Sequence, residues 1–86
     1  MKTVFHKQFI KQYSKLPITQ KRRFEEIIII FRNDPTNPNL YNHPLSGEWK
    51  NHRSIAFGGD WRAHYIQQDK DTARFVAVGK HSQLYK

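Results

Sequence analysis

The sequence predicts an α+β domain in which an N-terminal helical hairpin packs on one face of a small antiparallel β-sheet. Three observations carry this. Two apolar stripes at helical spacing are separated only by a break at Pro17; two alternating runs flank Gly58-Gly59-Asp60; and Thr72 to Val78 is a third strand-like run. Two helices can cover only one face of such a sheet, so the other face is expected to be open to solvent or ligand.

In chain order, Thr3 to Phe5 is a short β-branched and aromatic segment, expected as a brief strand. From His6 to Leu16 the stripe is Phe9, Ile10, Tyr13 and Leu16, with Lys7, Lys11 and Lys15 on another face. Pro17 ends this helix, and Thr19 is the expected N-cap of a second one running to about Asn33. Its stripe is Phe24, Ile27, Ile28 and Phe31. Ile29 and Ile30 lie off that stripe and either widen the core contact or form a docking surface for a partner. Asp34 to Asn39, with two prolines and two asparagines, is a loop.

Trp49 to Phe57 and Trp61 to Ile66 then form a β-hairpin whose register follows from side-chain chemistry. A two-residue turn would mix charged and apolar side chains on both faces. A three-residue turn, Gly58 to Asp60, pairs Phe57 with Trp61, Ile55 with Ala63, Ala56 with Arg62 and Ser54 with His64. One face is then Ile55, Phe57, Trp61, Ala63 and Tyr65. The other carries His52, Ser54, Arg62 and His64, a polar face of cations and imidazoles with Asp60 at the tip. Gln67 to Asp71 is a polar turn, and Thr72 to Val78 lacks alternation, as expected of a central strand.

The 86 residues correspond to a single small domain, 1–86, with a modest core. Without cysteine there are no disulfides or thiolate metal sites, which suits a reducing cytoplasm. No segment resembles a signal peptide, and the longest apolar run, Ile27 to Phe31, is far shorter than the ~20 residues a membrane crossing requires. Fifteen Lys and Arg against seven Asp and Glu give a formal charge of +8, so an anionic partner is expected, either nucleic acid or an acidic protein.

Imidazoles titrate near neutrality and so suit general acid-base work. His43, His52, His64 and His81 lie on or beside the proposed sheet. Nothing flanking His52 or His64 points to activation, so both are first taken as structural or exposed. No pair of histidines has close ligand spacing, and no metal or other cofactor is expected. Trp49 and Tyr85 could stack on bases, whereas Trp61 belongs to the core.

Three ordered motifs give the sequence a family resemblance: H-P-L-S-G at His43 to Gly47, D-W at Asp60 and Trp61, and G-K-H-S-Q-L-Y at Gly79 to Tyr85. Together they resemble the RelE/ParE superfamily of small bacterial toxins, and within it the YafQ-like branch, over nearly the whole chain. The resemblance implies a helical hairpin on a twisted antiparallel sheet and a type II toxin that cuts mRNA in the ribosomal A site without a metal. It also implies contacts to 16S rRNA and an acidic cognate antitoxin. His43, Asp60 and His81 match catalytic positions of the branch, Arg62 matches an arginine beside the scissile phosphate, and Tyr85 matches a C-terminal aromatic. In the implied mechanism His81 is the general acid, and His43 or Asp60 is the base or its orienter. Arg62 stabilises the phosphate with Lys50 or Arg53 nearby, and His64 and Tyr85 complete the substrate-binding set. Asp60 is equally readable as an ordinary turn residue. Ala56 departs from the pattern, since the branch has a histidine there and many other members an arginine. Two rival functions share the fold: a ParE-like inhibitor of DNA gyrase and a non-catalytic basic binding module.

Overall fold

The computed structural model describes residues 1–85. Along the chain it runs β1 (Lys2–Phe5), α1 (Lys7–Ser14), α2 (Ile18–Asn33), a 3₁₀ turn (Pro38–Leu40), β2 (His43–Pro44), a second 3₁₀ turn (Gly47–Trp49), β3 (Arg53–Ala56), β4 (Trp61–Asp69), β5 (Thr72–Lys80) and α3 (His81–Leu84). The strands form one sheet in the order β1-β5-β4-β3-β2. Its four later strands are antiparallel. β1 adds a parallel edge against β5, with Lys2 opposite Thr72 and Phe5 opposite Phe75, so the sheet is mixed.

The hairpin register is the one that side-chain chemistry demanded: Ser54 faces His64, Ile55 faces Ala63 and Ala56 faces Arg62. The Phe57 amide donates to the Trp61 carbonyl at 3.2 Å, closing the three-residue turn. Glycine is required at position 58, where φ is +119° and a Cβ would lie 2.6 Å from Nη1 of Arg23. The preceding strand is shorter than its apolar pattern implied. Gly47 to Trp49 forms a 3₁₀ turn and Asn51 is left-handed, φ +72°, which breaks the extended backbone until Arg53.

The helical hairpin packs on the face formed by Ile55, Phe57, Ala63, Tyr65 and Phe75, all buried. Aromatic rings dominate the contact. Phe24 lies 5.5 Å from Phe9, 5.4 Å from Phe57 and 6.0 Å from Phe75, and Phe31 lies 5.0 Å from Tyr65. Two details of the helices differ from expectation. Ile10 is exposed rather than part of the buried stripe. Thr19 lies inside α2, because Pro17 takes the cap position with φ −57° and its carbonyl accepts from the amides of Gln20 and Lys21. Ile30 is half-buried on the core, whereas Ile29 is 58% exposed. No described helix is long and apolar enough to cross a membrane.

Candidate active site

The polar face is organised around a row that crosses four strands: His43 on β2, Ser54 on β3, His64 on β4 and Ala77 on β5. This face was expected to be open, and at its centre it is closed. His64 has no exposed surface. The indole of Trp49 packs against it edge-on at 4.4 Å between ring centroids, and the phenol of Tyr85 packs at 5.4 Å. Trp49 is fixed by its Nε1–H, which donates to the Leu84 carbonyl at 3.1 Å. Tyr85 is tied to His64 by a hydrogen bond of 3.3 Å between its hydroxyl and Nε2. His64, expected among the substrate-binding residues, is thus fully buried beneath these two rings. Tyr85 and Trp49 spend much of their ring surface on this cover.

Burial first, and to a lesser extent the nearby His52, His43, His81 and Arg62, hold the His64 pKa down at about 4. Three other imidazoles and a guanidinium thus lie around one buried ring. Burial likewise pushes the Tyr85 phenol up, opposed by Arg62, so it remains a protonated hydrogen-bonding group.

His43 is exposed on the edge strand, and its Nδ1 lies 2.8 Å from the Tyr41 carbonyl. A carbonyl only accepts, so Nδ1 carries a proton, and in the neutral form of the ring Nε2 is the bare nitrogen. His81 opens α3 and is exposed. Its ring lies 4.4 Å from that of Tyr85, and its amide donates to the Asp60 carbonyl at 2.8 Å. The hairpin tip and the start of α3 are thus joined through the main chain, which brings Asp60 beside His81. Arg62 turns back on its own loop: Nη1 donates to the Gly59 carbonyl at 2.6 Å and to the Trp61 carbonyl at 2.9 Å. Nε and Nη2 remain for an anion. Lys50 is exposed, and its carbonyl is 3.1 Å from Nδ1 of His52. Arg53 lies opposite Pro44 on the other face of the strand. Strand parity turns it to the helix side, where Nε donates to Oδ1 of Asn42 at 2.9 Å, and Asn42 in turn donates to the Tyr65 hydroxyl at 2.8 Å. Among the described residues, no three His, Asp or Glu side chains converge to hold a metal ion.

A family model described as a bacterial toxin of type II toxin-antitoxin systems, YafQ, matches residues 1–86. The chain belongs to this YafQ toxin family. Among solved structures, the copper-bound mutant toxin from Helicobacter pylori is similar with a TM-score of 0.80 at 28% identity, covering 99% of each chain. YafQ from E. coli strain BL21(DE3) is similar with a TM-score of 0.77 at 23% identity, covering 98% of this chain and 97% of that one. RelE in the RelB-RelE antitoxin-toxin complex from Methanococcus jannaschii has a TM-score of 0.75 at 24% identity, covering 95% and 94%. No curated protein matches the sequence.

Three features of this YafQ-family site escaped sequence reasoning. Tyr41 is one, since its contribution is a backbone carbonyl turned by a left-handed conformation, φ +49° and ψ +40°, that tyrosine does not advertise. The second is the cover formed by Trp49. The third is Gly79, where a Cβ would meet Oε1 of Gln83 at 2.8 Å. That oxygen accepts from the Lys80 amide at 2.8 Å and starts α3. A signal for this one was present, because Gly79-Lys80-x-x-Gln83 has glutamine at the third helical position, where it can reach back to the cap.

Proposed function

We propose that this YafQ-family toxin is an endoribonuclease that cuts mRNA engaged on the ribosome and thereby stops translation in the cytoplasm. The observation that carries the reading is the imidazole of His43, exposed and pinned through Nδ1 so that a bare Nε2 points away from its tether. Such a nitrogen can take the proton of a ribose 2′-hydroxyl. The 2′-oxygen then forms a bond to phosphorus, the bond from phosphorus to the 5′-oxygen breaks, and His81 donates the proton that the departing oxygen needs. Arg62 offers its remaining N–H groups to the phosphate oxygens as charge builds. Asp60, adjacent to His81 through the main-chain bond, orients or recharges that imidazole. Lys50, exposed and cationic, contributes to the field that holds the RNA.

The solved E. coli DinJ-YafQ complex and the M. jannaschii RelB-RelE complex support an antitoxin partner for this chain. A formal charge of +8 favours an acidic one. The apolar groove between β1, α1 and α2, with Phe5, Ile10 and Ile29 in its walls, is the surface such a partner would cover.

The test is cleavage of ribosome-bound mRNA by the wild type and by His43→Ala and His81→Ala. Products should end in a 2′,3′-cyclic phosphate and a 5′-hydroxyl, and each variant should lose ~10²- to 10⁴-fold in rate. Activity that survives loss of both histidines would reject the mechanism. A folded wild type that never cleaves would favour the non-catalytic module. That alternative has its own motive in Ala56, which leaves the position opposite Arg62 without a polar side chain.

A further inference from the structure

Tyr41, whose carbonyl meets His43, lines an open cleft of about 600 Å³ between α2, the first 3₁₀ turn and the β3–β4 turn. Its walls include Arg23, Glu26, Asn39, Tyr41, Ala56 and Arg62. The volume is within the ~300–1,000 Å³ typical of small-ligand sites. Tyr41 is the unusual member, being 71% exposed and left-handed although it is neither glycine nor asparagine. A left-handed bulky residue costs on the order of 1–3 kcal/mol, and such strain gathers at functional positions. One half of its use is already visible, since the turned peptide aims the Tyr41 carbonyl at His43. The same turn leaves the phenol ring on the wall of the cleft.

Chemically the cleft combines an aromatic face, two guanidinium groups, a carboxamide and a carboxylate. The guanidinium of Arg23 lies over Gly58 and that of Arg62 over Gly59, so both cations are held at one end by the glycine turn. Stacking on an aromatic ring, hydrogen bonding of a base edge, and cations for the sugar-phosphate backbone are what recognition of an unpaired nucleotide needs. Ala56 adds to the space, because a longer side chain there would project into it.

We propose that this cleft is a nucleobase subsite. It holds an unpaired base of the RNA, next to the phosphate attended by His43, on the ring of Tyr41, while Asn39 and Glu26 read the base edge. The proposal rests on the ribonuclease reading for its substrate and extends it to sequence preference. Tyr41 then has two linked tasks, as its carbonyl sets the His43 tautomer and its ring seats the neighbouring base.

The experiment uses the whole chain and needs no cleavage. Nucleoside monophosphates and a non-cleavable 2′-O-methyl oligonucleotide are titrated, at up to millimolar concentration, while amide resonances are followed by NMR. Shifts are expected at Asn39, Tyr41, Ala56 and Arg62, with affinity differing among the four bases. The informative variant is Tyr41→Asn, because asparagine tolerates the left-handed backbone and so keeps the carbonyl in place while the ring is removed. It should weaken oligonucleotide binding by about 5- to 150-fold, the worth of one stacked base, and flatten the preference among bases. Tyr41→Phe should retain both. Absence of shifts in the cleft, or Tyr41→Asn binding as tightly as wild type, would overturn the subsite even if the toxin cleaves RNA. Binding in the cleft without cleavage under any ribosomal condition would instead reject the nuclease reading and leave the subsite standing.

Discussion

Replacing His64 by glutamine should change how stability depends on pH, by an amount that follows from the burial of the ring. The imidazole is enclosed by Trp49 and Tyr85, and its pKa falls from 6.5 to about 4. The unfolded chain takes up the proton as pH drops through 6.5, while the folded chain resists until about 4. Between these values the unfolded state binds more protons, so stability is lost as pH falls. At 1.36 kcal/mol for each pH unit of that interval, the loss is about 3 kcal/mol. For a domain of this size, whose whole stability is on the order of 5–10 kcal/mol, that is a large fraction. Glutamine has a donor and an acceptor and can keep the bond to the Tyr85 hydroxyl, but it does not titrate. Urea denaturation of both proteins from pH 7.5 to 4 gives the assay. The variant should lose about 3 kcal/mol less than wild type over the interval, because every other titrating group is common to both. Parallel stability curves would refute the claim that His64 is buried neutral. A variant of lower stability at pH 7.5 does not disturb the comparison, which rests on slope.

Gly79→Ala should drive Gln83 off the Lys80 amide and cost about 1–3 kcal/mol in thermal or urea denaturation, with a matching loss of activity as His81 loosens. His52→Ala should leave cleavage nearly unchanged while His43→Ala reduces it ~10²- to 10⁴-fold, although both rings hold Nδ1 against a carbonyl. Equal losses would move the base to His52. Ala56→His should raise the rate of mRNA cleavage, since its cross-strand neighbour is Arg62; an unchanged or lower rate would show that the cleft has other use for the space. Association with an acidic antitoxin should slow as salt is raised in stopped-flow mixing, and a rate indifferent to ionic strength would reject charge steering.

The sheet was legible where alternation was strict. Ile55, Phe57, Ala63 and Tyr65 could face the core only in the three-residue register, and they do. The cap at Thr19 was misread because a proline with its fixed φ starts a helix as readily as a hydroxyl side chain does. Parity gave the polar face correctly but not its cover, because nothing local in a sequence says that the rings of Trp49 and Tyr85 will both pack on His64. Arg53 shows the same limit, as its basic character says nothing of the bond that strand parity allows it to make with Asn42. The site histidines were visible as residues, and the tautomer of His43 was not, since it depends on a carbonyl two residues away in a backbone conformation that tyrosine rarely adopts.

The parallel pairing of β1 with β5 has a consequence for how the protein is made. Lys2 finds its partner at Thr72, and His81 follows directly on the strand so formed. A nascent chain can close its helical hairpin early, but β1 must wait unpaired until most of the polypeptide has left the exit tunnel. The imidazole pair is completed later still. The face that carries His43 and His81 is thus assembled last, and the interval before β5 emerges leaves the helical hairpin open for an antitoxin to engage first.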